Sequence, residues 1–305
     1  MKFMQVAKRI TLLVLVNVLV MVTIGIIVGL LFRGPLARMG GYENLFVFCL
    51  IFGMGGAFIS LLLSRWMAKV MMGVQVIDPD TTDPDEQRLL QTVYHLAHAA
   101  QLPAMPEVGI YDSPEINAFA TGPSRSRALV AVSAGLLRQM RQYDVEGVLG
   151  HEIAHVANGD MVTMTLIQGV VNAFAMFLAR VLAFALSRGS SRDDDRGGNW
   201  FMEFILINLF QYVFMMLGYI VIAWFSRWRE FRADAGGARY AGREHMLSAL
   251  KTLKAIHEGG ADLAGAQQPA FQALKISGKS GGIGALFADH PPLEERIARL
   301  EHGIR

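Results

Sequence analysis

Cysteine is almost absent: Cys49 is the only one among 305 residues. That excludes an internal disulfide and any multi-cysteine metal site. A lone thiol inside an apolar run is compatible with a reducing compartment. A strong net charge is missing as well. At +2 overall, the chain offers no electrostatic case for a nucleic-acid partner. Internal repeats are lacking. So is a working phosphate loop. Ala273–Ser280 (ALKISGKS) fits a relaxed P-loop pattern, but Gly281-Gly282-Ile283-Gly284 follows, where a helix should begin, and no strand unit precedes it. ATP is not expected as a ligand.

What the chain has in excess is apolar residues. It is 53% hydrophobic, with a mean hydropathy of +0.36, whereas soluble domains sit nearer 45–50%. The surplus lies in long runs. Residues 10–32 hold 23 residues without a charge, enough to cross a bilayer core of about 30 Å. Lys2, Lys8 and Arg9 precede this run, but its length and the lack of an A-x-A site favour a retained anchor over a cleaved signal. Residues 44–63 are a second uncharged run, and Arg33, Gly34 and Pro35 lie in the short connection between them, so a helical hairpin is expected. Gly53 and Ala57, and Gly56 and Ser60, have the spacing that lets helices approach closely. Two further runs, 162–186 and 201–224, are less clean, since they hold Arg180 and Glu203. With them, about four transmembrane helices are expected. Ser187–Asn199 (SRGSSRDDDRGGN) between them reads as a polar linker.

The rest carries signals of mixed structure. Asp78–Asp85 (DPDTTDPD) is a turn-rich boundary with Pro79 and Pro84 as helix breakers. A helix is expected over 86–101. Short strands follow at Val108–Tyr111, Ala118–Thr121 and Leu129–Ser133, with turns between them. A helix over 144–158 has Asp144 as its expected N-cap. Residues 226–257 read as helix, 259–284 as loop, and 291–302 as a short closing helix with proline in its first turn.

The chemistry concentrates at His151-Glu152-Ile153-Ala154-His155. Four residues apart on a helix, both imidazoles can reach one ion. Imidazole nitrogen suits Zn²⁺. Glu152, one step round, can take a proton from water that the metal acidifies toward a pKa of about 7. The flanking residues Val148, Leu149, Gly150, Ile153, Val156 and Ala157 are apolar. Burying two histidines and a glutamate among them is costly without a partner, and a metal ion is the simplest one. A catalytic zinc wants a third protein ligand. No HExxHxxGxxH extension supplies it, because residues 158–161 read Asn-Gly-Asp-Met. Glu230 and Asp234, four apart in Arg229–Asp234 (REFRAD), are the candidates. One carboxylate can bind the ion while the other holds a ligand histidine through its second nitrogen.

Four blocks resemble the HtpX family of bacterial membrane metalloproteases, relatives of the CAAX prenyl-protein proteases. They are Asn117–Gly122 (NAFATG), Val148–Asp160 with its HEIAHVANGD, Ser226–Asp234 (SRWREFRAD), and His290-Pro291-Pro292. They occur in the family's order. The resemblance implies Glu230 as the third zinc ligand and Asp234 as the partner of a ligand histidine. It implies a substrate-binding strand edge near Asn117 and an oxyanion-stabilising role for His290. His95, His98, His245, His257 and His302 have no such context.

The expected fold is α+β, mainly helical: a gluzincin-like zinc metallopeptidase domain with a small β-sheet, plus the membrane helices. Residues 1–64 would form an N-terminal transmembrane hairpin, and 65–161 the first part of the catalytic domain with the zinc helix. Residues 162–225 would form a second hairpin around the linker 187–200, and 226–305 would complete the catalytic domain. The expected activity is zinc-dependent endoproteolysis. The resemblance implies damaged or misfolded membrane proteins as substrates, in stress response and quality control. The alternatives are a CAAX-type prenyl-protein protease, disfavoured because that branch has more spans, and an inactive membrane scaffold with a structural metal. With four spans, Lys and Arg near the membrane divide eight to five. That bias puts the catalytic domain and both termini in the cytoplasm, and the resemblance implies a bacterial inner membrane. Protein substrates and the lipid bilayer are then the partners.

Overall fold

The structure, a computed structural model, describes residues 41–189, 199–259 and 290–303. In chain order these form α1 (Gly41–Met71), β1 (Gln75–Val76), α2 (Pro84–Ala99), β2 (Glu107–Tyr111), β3 (Ala118–Ser124) and β4 (Arg127–Ser133). Then come α3 (Ala134–Gln139), α4 (Gln142–Asn158), α5 (Asp160–Gly189), α6 (Asn199–Tyr240), α7 (Arg243–Gly259) and α8 (Leu293–His302). The fold is α+β and mainly helical, as the sequence suggests. Three helices, over Gly41–Met71, Asp160–Ser187 and Phe201–Tyr240, are long and apolar enough to cross a membrane. A helix satisfies its own backbone polar groups, which is what such runs require in lipid. The apolar run 10–32, most of the linker, the P-loop-like segment and the expected loop after Gly259 lie outside the described residues.

The chain divides into two compact units. One comprises the chain up to Ser60 together with Met164–Ile222. In it α1 and α5 pack closely: a Cβ added at Gly53 would meet the Ala173 backbone nitrogen at 2.5 Å, whereas Gly56 has nothing within 4 Å. Of the two small-residue spacings on α1, the one holding Gly53 therefore makes the helix contact. Arg180 lies over the Phe48 ring at 5.8 Å and donates to the Met176 carbonyl at 3.0 Å.

The other unit comprises Leu61–Thr163 and the chain from Ala223 onward. Its sheet has the order β1-β2-β4-β3. The pairs β1/β2 and β3/β4 are antiparallel and β2/β4 is parallel. Side chains alternate between faces. Val108, Ala118, Val130 and Val132 enter the main core with Leu96, Leu149 and Ile153. Tyr111, Phe119, Leu129 and Ala131 pack on Ala68 and Val74. The central strand β4 is buried at every position except Arg127. β3 is left as an edge.

Boundaries differ from expectation where side chains act locally or at long range. Pro84 begins α2 instead of breaking a helix, and Asp83 caps it by accepting from the N–H groups of Asp85 and Glu86. Asp144 is not an N-cap. Helix α4 starts at Gln142 after Arg141, and Asp144 is buried in its first turn, accepting from Thr252 Oγ1 at 3.2 Å. The residues Ser226–Tyr240 continue the fourth apolar run as one helix, α6, because charged side chains are good helix formers.

Candidate metal centre

α4 carries His151 and His155 on one face, and their Nε2 atoms face each other at 3.1 Å. Each ring turns its other nitrogen to a carboxylate. His151 Nδ1 lies 2.9 Å from Asp234 Oδ1, and His155 Nδ1 lies 2.7 Å from Asp160 Oδ2. A nitrogen beside a carboxylate carries the proton, so each neutral ring aims an Nε2 lone pair inward. The third member is Glu230 on α6, fully buried. Its Oε2 is 3.3 Å from His151 Nε2, and its Oε1 is 3.2 Å from His155 Nε2. Neither oxygen has an aligned hydrogen bond among the described residues. Two lone pairs and a carboxylate crowded together need a cation among them, either a proton on an imidazole or a metal ion in its place. The three residues offer ligand atoms within 4.8 Å of one another. Two imidazole nitrogens and one carboxylate oxygen fit a divalent metal ion that keeps a further position for water or substrate.

Local structure builds this arrangement. Gly159 takes φ 70°, ψ 28° and ends α4 one residue before Asp160. That left-handed stop, natural for glycine, lets Asp160 fold back under His155. α6 approaches α4 closely: a Cβ added at Gly236 would lie 2.6 Å from Ala154 Cβ. A larger residue would push the helix of Glu230 and Asp234 away from the histidines.

Electrostatics follow the same contacts. Burial pulls the His151 imidazole toward neutrality, yet its contact with Asp234 and the nearby Glu230 carboxylate outweigh it. In the metal-free protein its pKa is raised to about 9. His155 is raised too, where burial is outweighed by the Glu230 charge and by Asp160.

The remaining expected residues surround the cluster unevenly. Glu152 is buried, and its Oε2 accepts the Ala120 N–H of β3 at 2.9 Å. The Ser133 N–H donates to the Asn117 carbonyl at 2.9 Å. By the alternation of an antiparallel ladder, the backbone groups of Ala118 and the Ala120 carbonyl then turn to the open edge, where Glu152 takes the Ala120 N–H. His290 brings Nδ1 within 2.8 Å of Glu230 Oε2. Asn117 is buried, and its backbone N–H donates to Ser133 Oγ at 3.1 Å.

Two residues escaped the sequence reading. Asp160 ends the HEIAHVANGD segment, where nothing in the spacing marks it as the partner of His155. Arg296 on α8 is completely buried and holds Asp234 with Nε to Oδ2 at 2.8 Å and Nη2 to Oδ1 at 2.6 Å. Its signal is faint: it shares the apolar stripe of α8 with Leu293 and Ile297.

The chain is similar to known proteins over most of its length. Peptidase family M48 matches residues 83–304. "Protease HtpX homolog" of Methylacidiphilum infernorum (isolate V4) is 49% identical over 296 residues, covering 96% of this chain and 98% of the relative. "Protease HtpX homolog" of Bacillus subtilis (strain 168) is 49% identical over 306 residues, covering 97% and 99%. "Protease HtpX" of Xanthomonas oryzae pv. oryzae (strain MAFF 311018) is 51% identical over 294 residues, covering 96% and 97%. Among solved structures, S. mikatae Ste24p matches with a TM-score of 0.66 at 16% identity. That match covers 98% of this chain but 66% of Ste24p, and the likeness is one of fold. Matched by the family over its histidine, glutamate and arginine cluster and by relatives along nearly its whole length, this chain belongs to Peptidase family M48, as an integral membrane metalloprotease related to Protease HtpX.

Proposed function

We propose that the chain is a zinc-dependent endopeptidase in which His151, His155 and Glu230 hold the ion and Glu152 is the general base. The observation that carries this reading is the convergence of three buried ligand atoms within 4.8 Å, with both histidines fixed by carboxylates behind them. A bound zinc ion would supply Lewis acidity, acidifying water and polarising the scissile carbonyl. Glu152 takes the proton of the attacking water and returns it to the leaving amine. Asp234 and Asp160 keep the imidazoles in the tautomer that turns Nε2 inward. His290, beside Glu230, meets the oxyanion that develops on the substrate. The open edge of β3, running on from Asn117, binds extended substrate through backbone hydrogen bonds.

The substrates in this reading are damaged or misfolded proteins of the membrane, and the enzyme sits in a bacterial inner membrane with both termini and the catalytic part in the cytoplasm. The lysine and arginine bias of eight to five supports that orientation. In this reading residues 65–161 and 226–305 belong to the catalytic domain and 162–225 to a membrane hairpin, while most of the expected hairpin 1–64 lies outside the described residues. The test is Glu152→Gln in the full chain, with zinc content measured alongside cleavage of a membrane-protein substrate. Cleavage should fall at least about 10²-fold with zinc retained. Cleavage that survives with zinc bound sinks the mechanism.

A further inference from the structure

Helix α6 has an exposed stripe that the peptidase chemistry does not use. Trp224 is 61% exposed and Trp228 46%. Arg232 and Arg239 continue the stripe at the exposed positions that follow. The positions are spaced by four, four and seven residues, so they share one helix face. In the preceding turns that face carries Leu217 and Val221, 56% and 54% exposed. Along one line, then, the side chains pass from aliphatic to indole to guanidinium. Arg232 stacks on the Trp228 ring, 4.8 Å from its centroid. Among the described residues it makes no ion pair. The acidic groups of the same segment, Glu230 and Asp234, are both buried and engaged at the metal centre.

We propose that the Trp224–Arg239 face of α6 binds the headgroups of anionic phospholipids, with Trp228 and Arg232 as its centre. Indole rings favour the depth where acyl chains meet headgroups. A guanidinium pre-oriented by stacking can donate two parallel hydrogen bonds to a phosphodiester. The aliphatic turns before it belong to a helix long and apolar enough to cross a membrane, so the occupant with both matching parts is a lipid and not a soluble anion. Zwitterionic lipid presents the same phosphate with a compensating cation, so preference for anionic lipid is the signature of this site. The proposal does not depend on the peptidase reading, and its test uses no cleavage.

The experiment reconstitutes the full chain in nanodiscs of equimolar phosphatidylglycerol and phosphatidylcholine and counts retained lipids by native mass spectrometry after extraction. Phosphatidylglycerol should be enriched, and Arg232→Glu should cut that enrichment by about five-fold or more, five-fold being the effect of losing one surface cation and the new carboxylate adding repulsion. Arg232→Lys, which keeps the charge but stacks less well, should retain part of it. Tryptophan quenching by bromine-labelled phosphatidylglycerol should fall in Trp228→Phe and stay in a control that alters Trp66. Equal retention of the two lipids, or enrichment untouched by Arg232→Glu, overturns the proposal. So does full displacement by millimolar inorganic phosphate, which would mark a site for a free anion.

Discussion

Arg296 grips Asp234 by both carboxylate oxygens, at 2.8 and 2.6 Å, where neither side chain meets solvent. The same Asp234 holds His151 Nδ1 at 2.9 Å. The arginine therefore neutralises the charge that orients a ligand. Arg296→Met should leave Asp234 buried and unpaired, at a cost of about 3–5 kcal/mol. Arg296→Lys should not restore the loss, because an ammonium cannot make the paired contact. Thermal melts of the metal-loaded and metal-stripped variants measure both.

Asp160 is the counterpart for His155, at 2.7 Å. Asp160→Ala frees the ring to rotate and to change tautomer. Zinc affinity should fall about 10- to 100-fold, read by competition with a chelator of known affinity. Fold stability of the metal-stripped protein should change much less than for Arg296→Met.

The metal-stripped site should also respond to pH. The folded pKa of His151 is about 9, above the ordinary histidine value of about 6.5. A group raised on folding stabilises fully below its unfolded pKa and loses that contribution as pH rises through the folded one. The melting temperature of the stripped protein should therefore decline between about pH 6.5 and pH 9. Zinc must displace those protons, so its apparent affinity should rise over the same interval and binding should release protons. Titration in weak buffers of differing ionisation enthalpy checks the release. Affinity that is flat with pH would contradict it.

The close approach of α4 and α6 gives a steric test. A Cβ at Gly236 would stand 2.6 Å from Ala154 Cβ, and neither atom is the end of a flexible chain. Gly236→Ala should destabilise by about 1–3 kcal/mol and weaken zinc retention by spreading the ligand helices. Ala154→Gly in the same chain should recover part of both, which a general helix-propensity effect would not allow.

The site was legible in proportion to how local it is. His151, Glu152 and His155 are set by one helical repeat, so spacing alone reveals them. Strands β2, β3 and β4 were found within a few residues because β-branched and small apolar residues alternate between turns. The two-residue β1 carries no such pattern and was missed. Glu230 lies 75 residues beyond His155, and only family resemblance distinguished it from Asp234. Arg296 was invisible, since a charged residue on a short amphipathic helix ordinarily faces water. Asp144 misled because its partner, Thr252, lies on another helix. The end of the fourth apolar run looked like the end of a helix, yet a helix need not stop where apolar side chains do.

The span of the Arg296 contact has a temporal meaning. Asp234 and Arg296 are 62 positions apart, and His151 and Arg296 are 145 apart. As the chain leaves the ribosome, α4 with its two histidines emerges well before α8. Until α8 docks, Asp234 lacks its counter-charge and has every reason to stay hydrated, away from His151. An element made 62 residues after Asp234 thus supplies the charge that steadies the partner of His151.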